Sequence, residues 1–248
     1  MKRAFISAAI LAGLQLASLV SAAQGQKVIK LSEPNKTRGL PVMEALSVRA
    51  SVTAWSDKEL SPTDLSDLLW AANGINRPDK RRTAPSAMNA QDVDVYVFKN
   101  DGVYLYDAAA HALVLVVEGD QRSQIAMAPG GRPGGPGGPP PGAAVPKPGA
   151  APTPQPPGRG PAGPPAGAPI HLILVSDQSR FGAGTPALKQ EWGAIDTGIV
   201  SQNIALFCAA TGLGTRPRAS INKDGLKVLL KLKDSQSPLL EHPVGYKK

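Results

Sequence analysis

The 248-residue sequence is poor in cysteine and histidine, which limits the chemistry that its own side chains can support. Its one cysteine, Cys208, excludes both an intrachain disulfide framework and a cluster of metal-bound thiolates. Its three histidines, His111, His171 and His242, are scattered along the chain, and this spacing argues against a histidine-based metal site. We therefore assign no metal ligands.

The chain also lacks the common catalytic and nucleotide-binding motifs. It contains no GxSxG, HExxH or P-loop sequence. The run Gly212-Leu213-Gly214 has no third glycine and follows a predicted helix instead of a strand, so it is not a dinucleotide-binding fingerprint. We assign no protein acid, base or nucleophile as a catalytic residue.

The formal net charge of +8 does not mark the folded part as a nucleic-acid binder. Five of the positive charges lie in the first 22 residues or in a Pro/Gly-rich tract without acids, and removing them leaves +3 for the rest of the chain. These five are Lys2, Arg3, Arg132, Lys147 and Arg159. With so small an excess, we expect no nucleic-acid partner.

Residues 1–22 have the pattern of a cleaved Sec-type signal peptide. Two basic residues precede an apolar run over 4–20, and small residues then allow cleavage near Ala22 or Ala23. The alternative is an uncleaved anchor helix, but the apolar run is at the short end for crossing a core of about 30 Å. We expect a periplasmic or secreted protein with no membrane span after cleavage.

Residues 129–168 are expected to form a disordered insert. Sixteen of the 25 prolines and 12 of the 26 glycines lie between residues 129 and 169, where there is no aromatic residue, leucine or isoleucine. Such a composition cannot pack a core. Glycine does not recur at every third position, which excludes a collagen-like helix. We expect the insert to interrupt a single domain at a surface loop.

The remaining sequence predicts one α+β domain in two parts, residues 40–128 and 169–248, after an N-terminal linker over 23–39. Helices are predicted over 41–49, after the cap Ser61, over 192–211 and after the cap Asn222. Strands are predicted over 93–98, 103–106, 113–117, 170–175 and 239–246. Helices and hairpin strands mix without a regular βαβ alternation, so we expect helices packed on a mostly antiparallel sheet.

Helical spacing also predicts which side chains are buried. In the first helix, Val42, Ala45 and Leu46 lie on one side. In the long helix over 192–211, four residues are predicted to be buried: Ile195, Ile199, Ile204 and Cys208. We interpret Trp70 and Trp192 as core or subunit-interface residues.

Three segments carry the functional signal: RASVT at 49–53, RTAPSAMNAQ at 82–91, and the stretch from WGAIDTG to GLGT at 192–215. In this order and spacing they resemble the FMN-dependent nitroreductase superfamily. LWAANGI at 69–75, the 85–91 stretch and the closing PVGYK at 243–247 look most similar to its SagB/ThcOx-type dehydrogenase branch. The resemblance covers nearly all of the folded part.

The resemblance implies FMN as the cofactor, with Arg49, Ser51 and Thr53 near its phosphate. A doubly charged phosphate needs fixed cations and hydroxyl donors. Arg49 and Ser51 match the first and third positions of the family's R-R-S-x-R-like motif, whereas Ala50 and Thr53 replace basic residues. Lys247, or the adjacent Lys248, is expected to supply one of the missing cations.

The same resemblance places Pro85, Ser86, Asn89 and Gln91 at the pyrimidine edge of the flavin. A side-chain amide both donates and accepts, which that edge requires. The alternative is a polar loop entering a strand, where asparagine is a common turn residue.

Gly214 and Thr215 match the segment that passes the flavin N5 face and offers backbone amides, although Gly212 also has a purely structural role as a helix cap. Asp196 and Gln202 are similar to family residues, but a polar residue on a buried helix also commonly satisfies a neighbouring backbone group. The resemblance places Arg81 and Arg82 near the flavin mouth, although a short run of charged residues such as this is usually only solvated.

The resemblance therefore implies an exported, FMN-dependent oxidoreductase of nitroreductase-like fold that forms an intertwined homodimer. Hydride would move from a donor through flavin N5 to a small-molecule or peptide acceptor. Export is hard to reconcile with a nicotinamide donor, because that pool is cytoplasmic. The alternative is a flavin-poor or flavin-free binding module on the same scaffold in the cell envelope, and a structural envelope protein acting through its Pro/Gly tract is a third possibility.

Overall fold

The computed structural model describes residues 27–126 and 167–248. The predicted signal peptide over 1–22 lies outside the described residues, as does nearly all of the predicted insert over 129–168. No helix in the described part of the chain is long and apolar enough to cross a membrane.

Seven strands form one sheet in the order β1-β4-β3-β2-β5-β7-β6, and the six ladders between neighbouring strands are antiparallel. The strands are β1 Val28–Lys30, β2 Val93–Lys99, β3 Gly102–Asp107, β4 Ala112–Glu118, β5 Ile170–Asp177, β6 Leu213–Thr215 and β7 Gln236–Tyr246. Because β2 pairs with β5, the chain on both sides of 127–166 builds a single sheet. The predicted α+β class and mostly antiparallel sheet are confirmed.

The described residues form four helices: α1 Val42–Val48, α2 Pro62–Asn73, α3 Pro186–Thr211 and α4 Lys223–Leu229. Helices α2, α3 and α4 contact the sheet, whereas α1 packs on α3. The predicted caps form as expected, since Ser61 accepts from the Asp64 backbone N–H and Asn222 accepts from that of Gly225. Gly212 ends α3 in the left-handed conformation, with φ of 79°.

The core lies on both faces of the sheet, and β5 supplies side chains to each. Leu172 and Leu174 point towards a cluster that includes residues of α2 and α3, whereas Ile173 and Val175 point towards a cluster that includes Leu226 of α4. This two-residue alternation explains the unbroken apolar run over 172–175 in β5.

The structure differs from the sequence prediction at the N-terminal linker. Residues 28–30 form an edge strand, in which Val28 lies opposite Val114 of β4. Further along, the Asn35 backbone N–H donates to Asp67 at 2.7 Å, and Arg38 forms an ion pair with the same carboxylate at 2.9 Å. The polar groups of this stretch have partners in α2, so the stretch packs on the domain.

The predicted burial of two helices was partly wrong. On α1, Ala45 is buried, but Val42 and Leu46 are 63% and 45% exposed. On α3, Ile204 and Cys208 are buried as predicted, whereas Ile195 is 53% exposed. Periodicity identified an apolar stripe on each of the two helices, but the other described residues of the chain do not cover the whole of either stripe.

Candidate active site

The first group of predicted site residues meets at the edge of the sheet formed by β6 and the end of β7. Ser51 forms a parallel bridge with Thr215, in which the Val52 backbone N–H donates to the Thr215 carbonyl at 3.0 Å. Trp55 pairs in turn with Lys247. We call residues 49–53, 214–215 and 247 the phosphate edge, because the resemblance described above predicts the FMN phosphate beside residues 49–53.

The phosphate edge carries cations without carboxylate partners. Arg49 and Lys247 are exposed and have no ion pair in the described part of the chain. Arg216, which follows Thr215 directly, is half-buried and likewise has no ion pair there. Sequence reasoning missed Arg216. Ser51 and Thr53 are exposed, so their hydroxyl groups are open to a ligand.

Two close contacts fix the backbone of the phosphate edge. The Trp55 indole N–H donates to the Gly214 carbonyl at 2.8 Å, although Trp55 was not among the predicted site residues. A Cβ atom at Gly214 would lie 3.0 Å from the side chain of Val52. Glycine at this position therefore lets the 49–53 segment approach β6 closely.

The Thr215 side chain is not available to a ligand, because it hydrogen-bonds inside the protein. His242 connects the Thr215 hydroxyl, at 3.1 Å from Nδ1, with the Ser201 hydroxyl, at 2.8 Å from Nε2. Burial lowers the pKa of His242 to about 3, so the imidazole is neutral. The Thr215 carbonyl is occupied by the Val52 bond, which makes Thr215 a residue that holds the edge together.

The second group of predicted site residues lies on the loop over 85–91, and its backbone is strained. Met88, Asn89 and Gln91 all have positive φ, at 52°, 53° and 49°. Non-glycine residues adopt this region rarely, and clusters of such residues are typical of ligand-binding segments. The Ser86 hydroxyl helps hold the loop by accepting from the Gln91 backbone N–H at 2.8 Å.

The two predicted flavin-edge amides have different surroundings. The Gln91 side chain accepts from Arg82 Nε at 3.0 Å and donates to the Lys80 carbonyl at 3.2 Å, so it stabilises the loop from within. Asn89 is exposed, and in the described residues its amide contacts only Gln91 Nε2, at 3.4 Å. Asn89 is therefore the amide free to meet a ligand.

Two buried carboxylates, Asp92 and Asp196, lie next to the 85–91 loop. Asp196 accepts from the Ala87 backbone N–H at 2.9 Å, and Asp92 accepts from the Ser176 hydroxyl at 2.6 Å. Burial raises the pKa of Asp92 to about 7; the Ser176 hydrogen bond opposes this shift and the neighbouring Asp196 carboxyl adds to it. Sequence reasoning noted Asp196 but missed Asp92, because no local pattern links two residues so far apart in the chain.

The long helix α3 lies beside both groups. Asp196 contacts the 85–91 loop, and Ser201, five residues later, contacts His242 beneath the phosphate edge. Within the described part of one protomer, no hydrogen bond joins the two groups directly.

Gln202 is exposed, and Trp192 packs against Phe181 with ring centroids 5.6 Å apart. The described residues contain no group of three or more potential metal ligands.

The sequence profile of the nitroreductase family matches residues 46–246, which is most of the chain and includes every predicted site residue except Lys247. The chain belongs to the nitroreductase family. A candidate nitroreductase of Methanocaldococcus jannaschii is 25% identical over 210 residues, covering 82% of this chain and 90% of that protein. The predicted family is confirmed at this level.

Solved structures support the nitroreductase-like fold. The crystal structure of a candidate nitroreductase of Ralstonia eutropha JMP134 superposes with a TM-score of 0.70 at 28% identity, covering 91% of this chain and 92% of the other. The Escherichia coli microcin synthetase McbBCD complex with truncated pro-MccB17 bound contains a chain with a TM-score of 0.57 at 16% identity, covering 94% and 82%. That second likeness shows the fold alone.

Proposed function

We propose that this nitroreductase-family oxidoreductase uses FMN and that the phosphate edge holds the FMN phosphate. The observation that carries the proposal is the set of unpaired cations at this edge. Arg49 and Lys247 lie on segments that the fold brings together, and neither has a carboxylate to neutralise it in the described part of the chain. Exposed cations without partners beside free hydroxyl groups fit a phosphate dianion.

The departures from the family motif reduce this positive charge, but they do not remove it. Ala50 offers no cation and Thr53 offers a hydroxyl in place of one. Arg216 follows the β6 bridge residue directly and adds a third cation close in the chain to the bridge with Ser51. The residues present therefore fit a phosphate group, with one basic position supplied by the residue that follows β6 in place of the 49–53 motif.

The 85–91 loop fits the polar edge of the flavin ring. Asn89 can donate and accept at once, and the positive φ values of the loop hold it in one conformation. Gln91 and Ser86 position Asn89 through hydrogen bonds within the loop. Asp196 on α3 holds the loop by accepting from the Ala87 backbone N–H.

When bound, FMN supplies the redox chemistry, taking a hydride from a donor and passing it to an acceptor. The protein residues bind, orient and exclude water, and none needs to act as an acid or base. We extend the proposal to a small-molecule or peptide acceptor, as the resemblance to the SagB/ThcOx-type branch implies.

We also propose a homodimer in which α1 lies at the interface. Val42 and Met43 are 63% and 74% exposed, and Leu40, Leu46 and Val48 add further exposed apolar surface. A contiguous apolar patch of this kind is typical of a protein interface. Sedimentation should give a dimer for the wild type, and Met43→Glu should shift it to a monomer; a monomeric wild type would refute this part.

Export remains a proposal that depends on residues 1–22. Mass spectrometry of protein recovered from a bacterial periplasm should give an N-terminus at Ala23 or Gln24. An intact Met1 would show that the segment is not cleaved.

The proposal of FMN use is tested by the colour of the purified protein. Purified protein should absorb near about 450 nm and release FMN on heating. Colourless protein that takes up no added FMN would favour the flavin-free binding module.

A further inference from the structure

Three arginines line one surface cavity beside the 85–91 loop. The cavity has a volume of about 220 Å³, and its lining residues are Arg77, Arg81, Arg82, Ala84, Pro85, Ser86 and Asn89. No carboxylate is among them. Because Pro85, Ser86 and Asn89 belong to the 85–91 loop, the cavity shares one wall with the loop that we place at the flavin edge.

Arg82 is a partly buried cation whose hydrogen-bond partners are neutral. It donates to the Asn73 carbonyl from Nη1 and to Gln91 Oε1 from Nε, each at 3.0 Å. Burial lowers the pKa of Arg82 more than the more distant Asp94 raises it. In the described residues no carboxylate lies within ion-pair distance of Arg82. A guanidinium held in this way keeps its charge available to an anion.

The other two arginines add charge that is only partly neutralised. Arg77 donates to Asn76 Oδ1 at 3.1 Å and to the Arg82 carbonyl at 3.3 Å, both of them neutral acceptors. Arg81 forms an ion pair with Asp79 at 3.4 Å, but both side chains are more than half exposed, so the contact is weak. Three cations therefore face the cavity region with one solvated carboxylate nearby.

We propose that this cavity binds a carboxylate group of the acceptor substrate. The inference rests on the proposed function, because it places the acceptor next to the flavin edge at Asn89. Guanidinium groups offer paired N–H donors in a plane, which matches a carboxylate. The volume is below the usual range for a whole drug-sized ligand, which is about 300 to 1,000 Å³, so the cavity takes one end of a molecule. A benzoate group or an acidic peptide side chain has this size and charge.

The first test measures binding without redox chemistry. The purified protein is titrated calorimetrically with benzoate, with benzamide, which has the same shape without charge, and with inorganic phosphate. We expect benzoate to bind about tenfold more tightly than benzamide, and more tightly than phosphate. A double variant with Arg77→Gln and Arg81→Gln should lose the preference, while a matched double variant on α4, Lys223→Gln with Lys227→Gln, should keep it. All four positions lie outside the core, and circular dichroism checks the fold.

The second test links the cavity to the reaction. With a reduced nicotinamide supplied as the electron donor, reduction of 4-nitrobenzoate should have a higher kcat/KM than that of 4-nitrobenzamide, and the arginine double variant should lose this ratio with its FMN content unchanged. No preference for benzoate, a preference that survives in the arginine variant, or phosphate binding as tight as benzoate would overturn the proposal. Failure of the FMN proposal is seen separately, as absence of flavin from protein that still binds benzoate.

Discussion

At the phosphate edge, single charges decide how firmly a dianion is held. Arg49 and Lys247 are exposed, and solvent weakens each contact that they make. Ala50 and Thr53 stand where the resembling family has basic residues, so the edge depends on fewer cations than the motif normally supplies. Position 53 is exposed, and neither of its neighbours in the sequence is acidic. It is therefore a suitable place to restore a basic residue.

Thr53→Arg should tighten FMN binding several-fold and make the affinity fall more steeply with salt, because a new exposed phosphate contact is partly screened. Fluorescence titration at two ionic strengths measures both effects. Thr53→Gln serves as the control for side-chain length without charge. Weaker binding by Thr53→Arg than by Thr53→Gln would place position 53 away from the phosphate.

The Asp92 carboxyl is the most perturbed acid beneath the 85–91 loop. It is fully buried, and its Oδ1 atom has no hydrogen-bond partner among the described residues. A carboxyl with a raised folded-state pKa binds its proton more tightly in the folded than in the unfolded protein. Its contribution to the free energy of unfolding is therefore full below pH 4 and is lost as the pH rises to about 7.

Asp92→Asn should remove this loss of stability with rising pH, because an amide keeps the Ser176 contact and cannot ionise. The difference in unfolding free energy between variant and wild type should shift in favour of the variant as the pH rises from 4 to 7. Urea unfolding at several pH values measures it. A difference that is constant with pH would show that Asp92 does not titrate in this range. Using the difference cancels the opposite contributions of acids with lowered pKa, such as Asp64 and Asp177.

Among the elements, α3 determines the relative placement of the two site groups, and its glycines are not equivalent. A Cβ atom at Gly193 would lie 2.2 Å from the Ser176 hydroxyl oxygen, which is the group that bonds Asp92. A Cβ atom at Gly198 would meet nothing within 4 Å. Gly193 therefore allows α3 to lie close against β5, whereas Gly198 has no such role within the protomer.

Gly193→Ala should destabilise the protein by about 1 to 3 kcal/mol, since the added methyl group must push α3 from β5. Gly198→Ala is the matched control on the same helix and should stabilise by up to about 1 kcal/mol, because alanine is the better helix former. Thermal and urea unfolding compare the two variants. Equal effects of the same sign would contradict the close packing at Gly193.

The elements that the sequence predicted well are those with strong local signals. The hairpin of β2 and β3 and the caps at Ser61 and Asn222 depend on neighbouring residues alone. The start of α3 was predicted at Trp192 but lies at Pro186, although Thr185 and Pro186 form a usual cap and first turn. Strands β1 and β6 have three residues each, which is too few for an alternating pattern to predict a strand.

The sequence predicted which segments form the candidate site, which stays a prediction, and it did not predict the contacts within those segments. Sequence order identified the segments of Arg49 and Asn89, yet no pattern could show that Thr215 turns inward to His242 or that Gln91 bonds Arg82. These contacts join residues that the fold brings together. The exposure of Ile195 is of the same kind, because periodicity identifies an apolar face but not the partner that covers it.

For the whole molecule, the segments before and after the undescribed stretch over 127–166 contact each other. The Arg122 guanidinium donates to the Pro169 carbonyl at 3.0 Å, and Ala168 is already buried. Strands from both sides of this stretch, β2 and β5, pair directly in the sheet. The boundary of the predicted insert at 168 therefore extends slightly too far.

Deletion of residues 129–166, with a short Gly/Ser linker joining the flanks, should leave the fold, the oligomeric state and FMN binding intact. A shorter loop should stabilise slightly, because closure entropy changes by about 0.6 kcal/mol for each doubling of length. Thermal melting and gel filtration measure the result, and a deletion that also removes Gly167 and Ala168 is the contrasting variant, expected to be less stable. A melting temperature lowered by many degrees in the first variant would show that the stretch packs on the domain.

Titration of the flavin-free protein with FMN, for wild type and Arg49→Ala side by side, tests the central claim most directly. We predict one FMN per chain for the wild type and an affinity at least tenfold weaker for Arg49→Ala, since losing about 1.4 kcal/mol has that effect. Circular dichroism should be the same for both, and Lys233→Ala, which removes an exposed charge elsewhere, should bind as the wild type does. Equal affinity of folded Arg49→Ala and wild type would contradict the phosphate edge, and no FMN uptake by the wild type would contradict the flavoenzyme.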